Sequence, residues 1–130
     1  MNADKLAEVA VSALEDIKAR DITVIDVSPL SSLFERMIIA SADSTRQTKA
    51  LANHVQEQVR AAGGVVLGIE GEQAGEWVLV DCGDVVVHVM QPAVRQYYNL
   101  EELWGGRPPL PGHREPQYVR AASGFASHPM

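Results

Sequence analysis

The residues best suited to chemistry are two carboxylates, Asp81 and Asp84, which flank the dipeptide Cys82-Gly83. Carboxylates this close in sequence could bind Mg²⁺ or serve as an acid/base pair. Such a site needs further ligands or proton carriers, and no second cluster of Asp, Glu or His is identifiable nearby in the sequence. A catalytic pair is therefore one of three interpretations of this segment. The other two depend on the elements that carry it.

The remaining candidates for chemistry are isolated. Cys82 is the only cysteine among 130 residues, so neither an intrachain disulfide nor a cysteine-based metal site can form. Beside two carboxylates its thiol is expected to have a raised pKa, which makes it a poor nucleophile. The polar run 41–45 could bind phosphate at a helix start, but it lacks glycines, so helix capping by Asp43 or Ser44 is favoured. We predict no catalytic residue, no metal site and no cofactor.

Charge is distributed unevenly along the chain. Residues 1–104 carry 8 basic and 16 acidic side chains, whereas residues 105–130 carry three arginines and one glutamate. From Ala61 to Val94 there is no Lys or Arg, although the stretch contains five acidic residues. A protein that binds nucleic acid needs Lys and Arg to neutralise phosphates, so this acidic part is a poor surface for it. A basic protein is a more suitable partner.

Periodic apolar residues predict the elements that hold this acidic stretch. Helices are predicted over residues 3–20, from the polar run 41–45 to residue 62, and as one or two short helices over 92–104. Strands are predicted over residues 22–27, 36–40, 65–69, 76–82 and 84–90. The order αββαβββα predicts an α/β domain with a mixed sheet of about five strands flanked by helices.

The last two strands are predicted to form a hairpin with two different faces. With Cys82-Gly83 as a two-residue loop, Asp81 would lie opposite Asp84, and Trp77 opposite His88. Because side chains alternate along a strand, one face consists wholly of valines and must be core. The other face carries Trp77, Leu79, Asp81, Asp84, Val86 and His88.

This mixed face has three interpretations. Two opposed carboxylates would be costly to bury, yet the apolar residues beside them are typical of protein interfaces. A cationic partner would relieve the repulsion between the facing aspartates. In the second interpretation a C-terminal helix covers the face and leaves the aspartates at a solvated rim. In the third the aspartates are the catalytic pair.

The two ends of the chain carry different signals. We expect one domain over residues 1–106 and a Pro-rich, mostly disordered tail over residues 107–130. The N-terminus lacks the basic start and apolar run of a signal peptide, and no stretch approaches the ~18 apolar residues of a membrane span. A cytoplasmic location is therefore expected.

Three segments together resemble a known family. They are I-A-S-A-D-S-T-R-Q from Ile39, E-G-E-Q-A-G-E-W-V-L-V-D-C-G-D-V-V-V-H-V-M from Glu70, and V-R-Q-Y-Y-N-L-E-E-L-W-G from Val94. The series is similar to the ribosomal silencing factor RsfS, or Iojap, family over about residues 5–106. The residues at 35–38 and Ala42 depart from the aromatic residues and the glycine that are usual there.

The resemblance implies a function and a fold. It implies a factor that binds ribosomal protein uL14 on the large (50S) subunit, blocks joining of the 30S subunit and lowers translation under nutrient limitation. Plant and mitochondrial relatives imply a role in large-subunit biogenesis. The implied fold is nucleotidyltransferase-like without the catalytic set, and D-x-x-D here differs from the D-x-D that would direct both aspartates to one metal. Homodimers are also expected in the family.

The charge pattern and the resemblance lead to one assignment of the hairpin face. The residues predicted to bind uL14 are Trp77 and Leu79 as apolar anchors, Asp81 and Asp84 as partners of Lys or Arg, and Val86 and His88 as flanking contacts. Two alternatives stay open, namely a metal-dependent nucleotidyltransferase-like enzyme and a homodimeric interaction module. Like charges at the aspartate end disfavour pairing of the face with itself.

Overall fold

The computed structural model describes residues 1–104 and the short segment 117–120. The helices are α1 (Ala3–Asp16), α2 (Thr45–Ala61), α3 (Pro92–Tyr98) and α4 (Leu100–Leu103). The strands are β1 (Arg20–Asp26), β2 (Arg36–Ser41), β3 (Gly68–Glu70), β4 (Trp77–Asp81), β5 (Val85–Met90) and β6 (Gln117–Arg120). Up to residue 104 the predicted order of elements is confirmed, with ends that differ by a few residues. Among the described helices, none combines the length and apolar character that crossing a membrane requires.

All six strands belong to one mixed sheet with the order β3-β4-β5-β2-β1-β6. β2 runs parallel to β5 and β1 parallel to β6, while the other neighbours are antiparallel. The sixth strand adds to the five predicted ones and lies within the segment 107–130, where no strand was expected. The rest of that segment, and the predicted domain boundary at residue 106, lie outside the described residues.

One face of the sheet is closed by the two long helices. α1 begins at Asn2, whose side chain accepts a hydrogen bond from the Lys5 N–H at 2.8 Å, and Ser44 caps α2 in the same way through the Gln47 N–H at 3.1 Å. Both helices place an apolar stripe on the sheet, where it joins the larger core cluster. This layer makes the valine face of the hairpin inaccessible.

The described residues cover the opposite face of the sheet only in part. Apolar residues of β1, β2 and the end of β5 are buried there beneath the β1–β2 loop, α3, α4 and Trp104. Phe34 of the loop and Trp104 meet edge to face with ring centroids 5.7 Å apart. The cover reaches Trp77 on β4 and ends there, since Leu79 and Val86 belong to neither core cluster.

A buried arginine fixes the C-terminal helices to this face. Arg95 of α3 donates from Nε to Glu101 of α4 at 3.0 Å, from Nη1 to Ser41 of β2 at 2.8 Å, and from Nη2 to Thr23 of β1 at 3.1 Å. All four residues are buried. The cluster therefore joins α3 and α4 to two strands of the sheet and helps to hold both helices on the second face.

Removing one partner of the Arg95–Glu101 ion pair should lower the stability of the fold far more than removing both partners. We expect Arg95→Met or Glu101→Leu alone to lower the free energy of unfolding by about 3–5 kcal/mol, because each leaves the other charge buried and unpaired. The double variant should be more stable than the sum of the two losses predicts. Urea unfolding of the four proteins measures this coupling, and strictly additive losses would contradict it.

Candidate protein-binding site

The hairpin turn differs from the predicted one by one residue. Its loop is Gly83-Asp84, because the Cys82 N–H donates to the Val85 carbonyl at 2.9 Å. Gly83 has φ +83°, which suits the first loop position of a type II′ turn, whereas the predicted turn would have placed Cys82 there. The register consequently moves by two residues, so that Asp81 pairs with Val86 and Trp77 with Met90. The predicted pairs Asp81–Asp84 and Trp77–His88 are wrong.

A shift of two residues leaves each side chain on its predicted face. The valine face is fully buried under the helices, as predicted: Val78, Val80, Val85, Val87 and Val89 all have 0% exposure. On the other face Trp77, Leu79, Asp81 and Val86 are half-buried, and Asp84 is exposed at the turn. These five residues are called the hairpin surface below.

The two aspartates do not form a carboxylate pair across the strands. The Asp81 carboxylate accepts the Gly83 N–H at 2.9 Å, which stabilises the turn. Asp84 accepts the N–H groups of Glu35 and Arg36 through its backbone carbonyl at 2.8 and 3.0 Å, and its side chain is exposed. Over residues 1–104 and 117–120, no group of three or more His, Cys, Asp or Glu side chains is placed to hold a metal ion.

Cys82 is buried beside this turn. Burial is the main cause that raises the pKa of its thiol to about 11; the Asp81 charge acts in the same direction and Arg60 opposes the shift. The predicted direction is confirmed, although the prediction named the carboxylates as the cause and burial is the larger one. At neutral pH the thiol is therefore protonated and a weak nucleophile.

His88 lies on the same sheet face as the hairpin surface but is buried there, with 6% exposure. Its Nδ1 accepts a hydrogen bond of 2.9 Å from the indole Nε1–H of Trp77. An indole N–H can only donate, so Nδ1 is unprotonated and the neutral ring carries its proton on Nε2. Burial lowers the pKa of His88 to about 4, which keeps this acceptor available at neutral pH.

Two tyrosines extend the hairpin surface, and the sequence analysis did not assign them to the site. The Tyr98 ring lies 4.9 Å from that of Trp77, and Tyr97 follows at 5.0 Å from Tyr98. They are 54% and 81% exposed. The sequence signal that could have identified them is that they are neighbours. Two consecutive residues on a helix lie about 100° apart, so they cannot both face the sheet.

The rim of the hairpin surface is acidic. On β3, Glu70 is paired with Leu79, so it stands on the same face as an exposed third carboxylate beside Asp81 and Asp84. The sequence from residue 61 to residue 94 supplies no Lys or Arg to offset these charges. Arg36, next to the hairpin on β2, bonds Asp4 of α1 and Asp26 instead. Apolar and aromatic groups with carboxylates at their rim, on a half-buried face of an α/β domain, are typical of a surface that binds a protein.

Comparisons with known proteins identify the family. Residues 1–127 match the family described as "Ribosomal silencing factor during starvation". The chain is 58% identical to the ribosomal silencing factor RsfS of Chromobacterium violaceum over 109 residues. This aligned region covers 84% of this chain and 89% of that protein. The chain belongs to the ribosomal silencing factor (RsfS) family, and the resemblance found in the sequence is confirmed. The family match extends beyond residue 106, where the resemblance stopped.

Two further relatives agree with this assignment. A crystal structure of a Chromobacterium violaceum protein, 57% identical in sequence, superposes with a TM-score of 0.82 over 85% of this chain and 92% of that one. A mouse protein named "Mitochondrial assembly of ribosomal large subunit protein 1" is 35% identical over 100 residues, which is 75% of this chain and 44% of the mouse protein. The fold described above is therefore that of the family.

The buried His88 should make stability depend on pH. Its pKa is about 4 in the folded protein and 6.5 as the ordinary value, so the unfolded chain binds the proton first as pH falls. Neutral His88 makes its full contribution to the free energy of unfolding above pH 6.5. This contribution, about 3 kcal/mol in total, is lost as the pH falls from 6.5 to 4. Urea unfolding across this window should show a flatter profile for His88→Asn.

His54→Asn is the matched control for that measurement. His54 is half-buried on α2 and bonds Asp16 of α1 at 2.9 Å, away from the hairpin. The His54 variant removes an imidazole on the other side of the sheet, so its profile shows how much of the slope depends on any histidine substitution. A His88→Asn profile as steep as the wild-type profile would contradict the assignment of the slope to His88.

Proposed function

We propose that this chain binds ribosomal protein uL14 of the 50S subunit through the hairpin surface and so blocks joining of the 30S subunit. Translation would be lowered in this way when nutrients are limiting, in the cytoplasm where ribosomes work. The observation that carries the proposal is the half-covered face on which Trp77, Leu79 and Val86 lie among carboxylates without any cation from residue 61 to residue 94. A family named for ribosomal silencing supports the choice of partner.

The chemistry of the surface fits a ribosomal protein. Such proteins are commonly basic, and an acidic patch attracts a basic one over several ångströms and orients it during encounter. Trp77 and Leu79 then supply apolar area that is removed from water at the centre of the contact. Asp84, exposed at the turn, is free to meet a Lys or Arg side chain, while Asp81 lies half-buried next to it.

Blocking the small subunit requires no reaction. It requires only that a folded body occupies the inter-subunit side of the large subunit, so the proposal assigns no catalytic residue, no metal and no cofactor to the chain. The proposed relation to nucleotidyltransferases concerns the fold without its catalytic set. The name of the mouse relative supports a further proposal, that the same contact contributes to large-subunit biogenesis.

A second copy of the chain is the alternative occupant of the hairpin surface. Two hairpin surfaces placed against each other would bring the carboxylates of Glu70, Asp81 and Asp84 of both copies together. Facing like charges are destabilising, so this arrangement is disfavoured near neutral pH. We therefore favour a basic partner over a homodimer for this surface.

Loss of the central aromatic anchor should weaken binding strongly. We expect Trp77→Ala to cost about 2 kcal/mol or more of binding free energy in co-sedimentation with purified 50S subunits. Leu33→Ala, which removes an 85% exposed apolar side chain outside the hairpin surface, is the matched control and should bind normally. A folded Trp77→Ala protein that binds like the wild type would show that the hairpin surface is not the contact.

Neutralising the two aspartates should weaken binding in a salt-dependent way. Asp81→Asn/Asp84→Asn keeps an acceptor for the Gly83 N–H while it removes two charges, so the turn is preserved. We expect about tenfold weaker binding to 50S at low salt and a smaller difference at high salt. The measurement is co-sedimentation with separated 50S and 30S subunits over a series of salt concentrations.

The control for this double variant is Glu15→Gln/Glu57→Gln. It makes the same change in net charge at two exposed positions of α1 and α2, on the opposite side of the sheet. Normal binding by the control and weak binding by the aspartate variant would support the proposal. Equal weakening of both would indicate a general charge effect, and wild-type binding by both would move the contact away from the hairpin.

A further inference from the structure

We propose that His88 is the positioning residue for Trp77, which it holds in the orientation that binds the partner without touching the partner itself. This inference rests on the proposed function, because it concerns how the hairpin surface is prepared for binding. It replaces the expectation that His88 is a flanking contact.

The geometry gives His88 no access to a partner. Only 6% of it is exposed, and it is paired with Leu79 of β4 on one side and Ile39 of β2 on the other. Those neighbours are apolar, and within residues 1–104 the imidazole makes its hydrogen bond with the indole of Trp77 at 2.9 Å. A buried polar ring is retained at a cost unless its hydrogen bonds are made, and here the bond goes to the anchor of the hairpin surface.

Trp77 is held at two points besides its backbone. His88 fixes the indole nitrogen, and Tyr98 lies against the ring at a centroid distance of 4.9 Å and an angle of 47°. The half-buried indole therefore sits in one orientation before any partner arrives. A side chain ordered in advance loses less conformational entropy on binding, so its apolar area contributes more fully to affinity.

The hydrogen bond also determines what Trp77 presents to a partner. The indole has a single polar group, and its N–H is already used within the protein. A partner consequently needs no acceptor aligned with the indole and meets an apolar aromatic surface. Aliphatic stems of Lys and Arg, and their charged ends over an aromatic ring, fit such a surface.

The hydrogen bond between Trp77 and His88 can be removed by changing either the acceptor or the donor. His88→Leu removes the acceptor, and 3-benzothienylalanine in place of Trp77 removes the donor while it keeps the ring shape and leaves His88 unchanged. His88→Asn keeps an acceptor at the position of Nδ1 and is the conservative variant. We expect each of the first two changes to weaken 50S binding roughly five- to tenfold, and His88→Asn to restore most of the affinity. The protein that carries both changes should bind 50S subunits no more weakly than the protein with either change alone.

A spectroscopic signal separates positioning from a general loss of structure. In a Trp104→Phe background, Trp77 is the only tryptophan, so its indole N–H gives one resolved NMR resonance. That resonance should shift upfield and exchange faster with solvent in His88→Leu, and stay near its wild-type position in His88→Asn. If His88→Leu does not fold, the benzothienyl protein provides the same binding test.

The outcomes distinguish this inference from the function on which it rests. If Trp77→Ala weakens 50S binding while the benzothienyl and His88→Leu proteins bind like the wild type, the surface is right and the positioning role is wrong. An indole resonance that is unchanged in His88→Leu would also overturn the role. If Trp77→Ala itself binds normally, the proposed surface fails and the positioning role fails with it.

Discussion

The guanidinium of Arg95 is the interaction on which the arrangement of the second sheet face depends. It joins α3, α4, β1 and β2 through bonds to Glu101, Ser41 and Thr23 in a buried site. A buried charge is tolerated only where such partners are aligned, so the C-terminal helices have one position on the sheet. In that position they cover β1, β2 and the end of β5 and leave the middle of β4 open. The hairpin surface exists because the cover ends there.

What lies at the edge of that cover is an ordered aromatic surface. Tyr98, carried by α3, lies against Trp77, and His88 accepts a hydrogen bond from the indole, so the position of the helix and the orientation of the anchor are linked. The carboxylates that surround these rings are held by the short turn at Gly83 and by pairing with β3. Such a surface is acidic at its rim, apolar at its centre and ordered before binding. It can bind a basic partner of matching shape and block a site without any reaction.

The fold could be predicted from local patterns because each element buries one periodic stripe. The alternating valines at 78–80 and 85–89 predicted the core face of the hairpin. This prediction is confirmed although the predicted register was wrong by two residues, because a shift of two leaves every side chain on the same face. The register depended on whether Gly83 takes the first or second loop position, which one sequence does not decide. Long-range contacts were not predictable: nothing local connects Arg95 with Thr23, or shows that His88 is buried. The sequence therefore predicted which side chains share the second face of the hairpin, but not the contacts that hold them there.

We propose that the hairpin surface, and not the helical layer, contacts the large subunit. Photocrosslinking tests it most directly, with a benzophenone amino acid placed at Leu79 of the hairpin surface or, separately, at Glu57 of α2. We expect the Leu79 probe to form one main crosslink on 50S subunits, to uL14, and the Glu57 probe to form none. A crosslink from Glu57 and none from Leu79 would contradict the account, because the chain would then bind through the opposite side of its sheet.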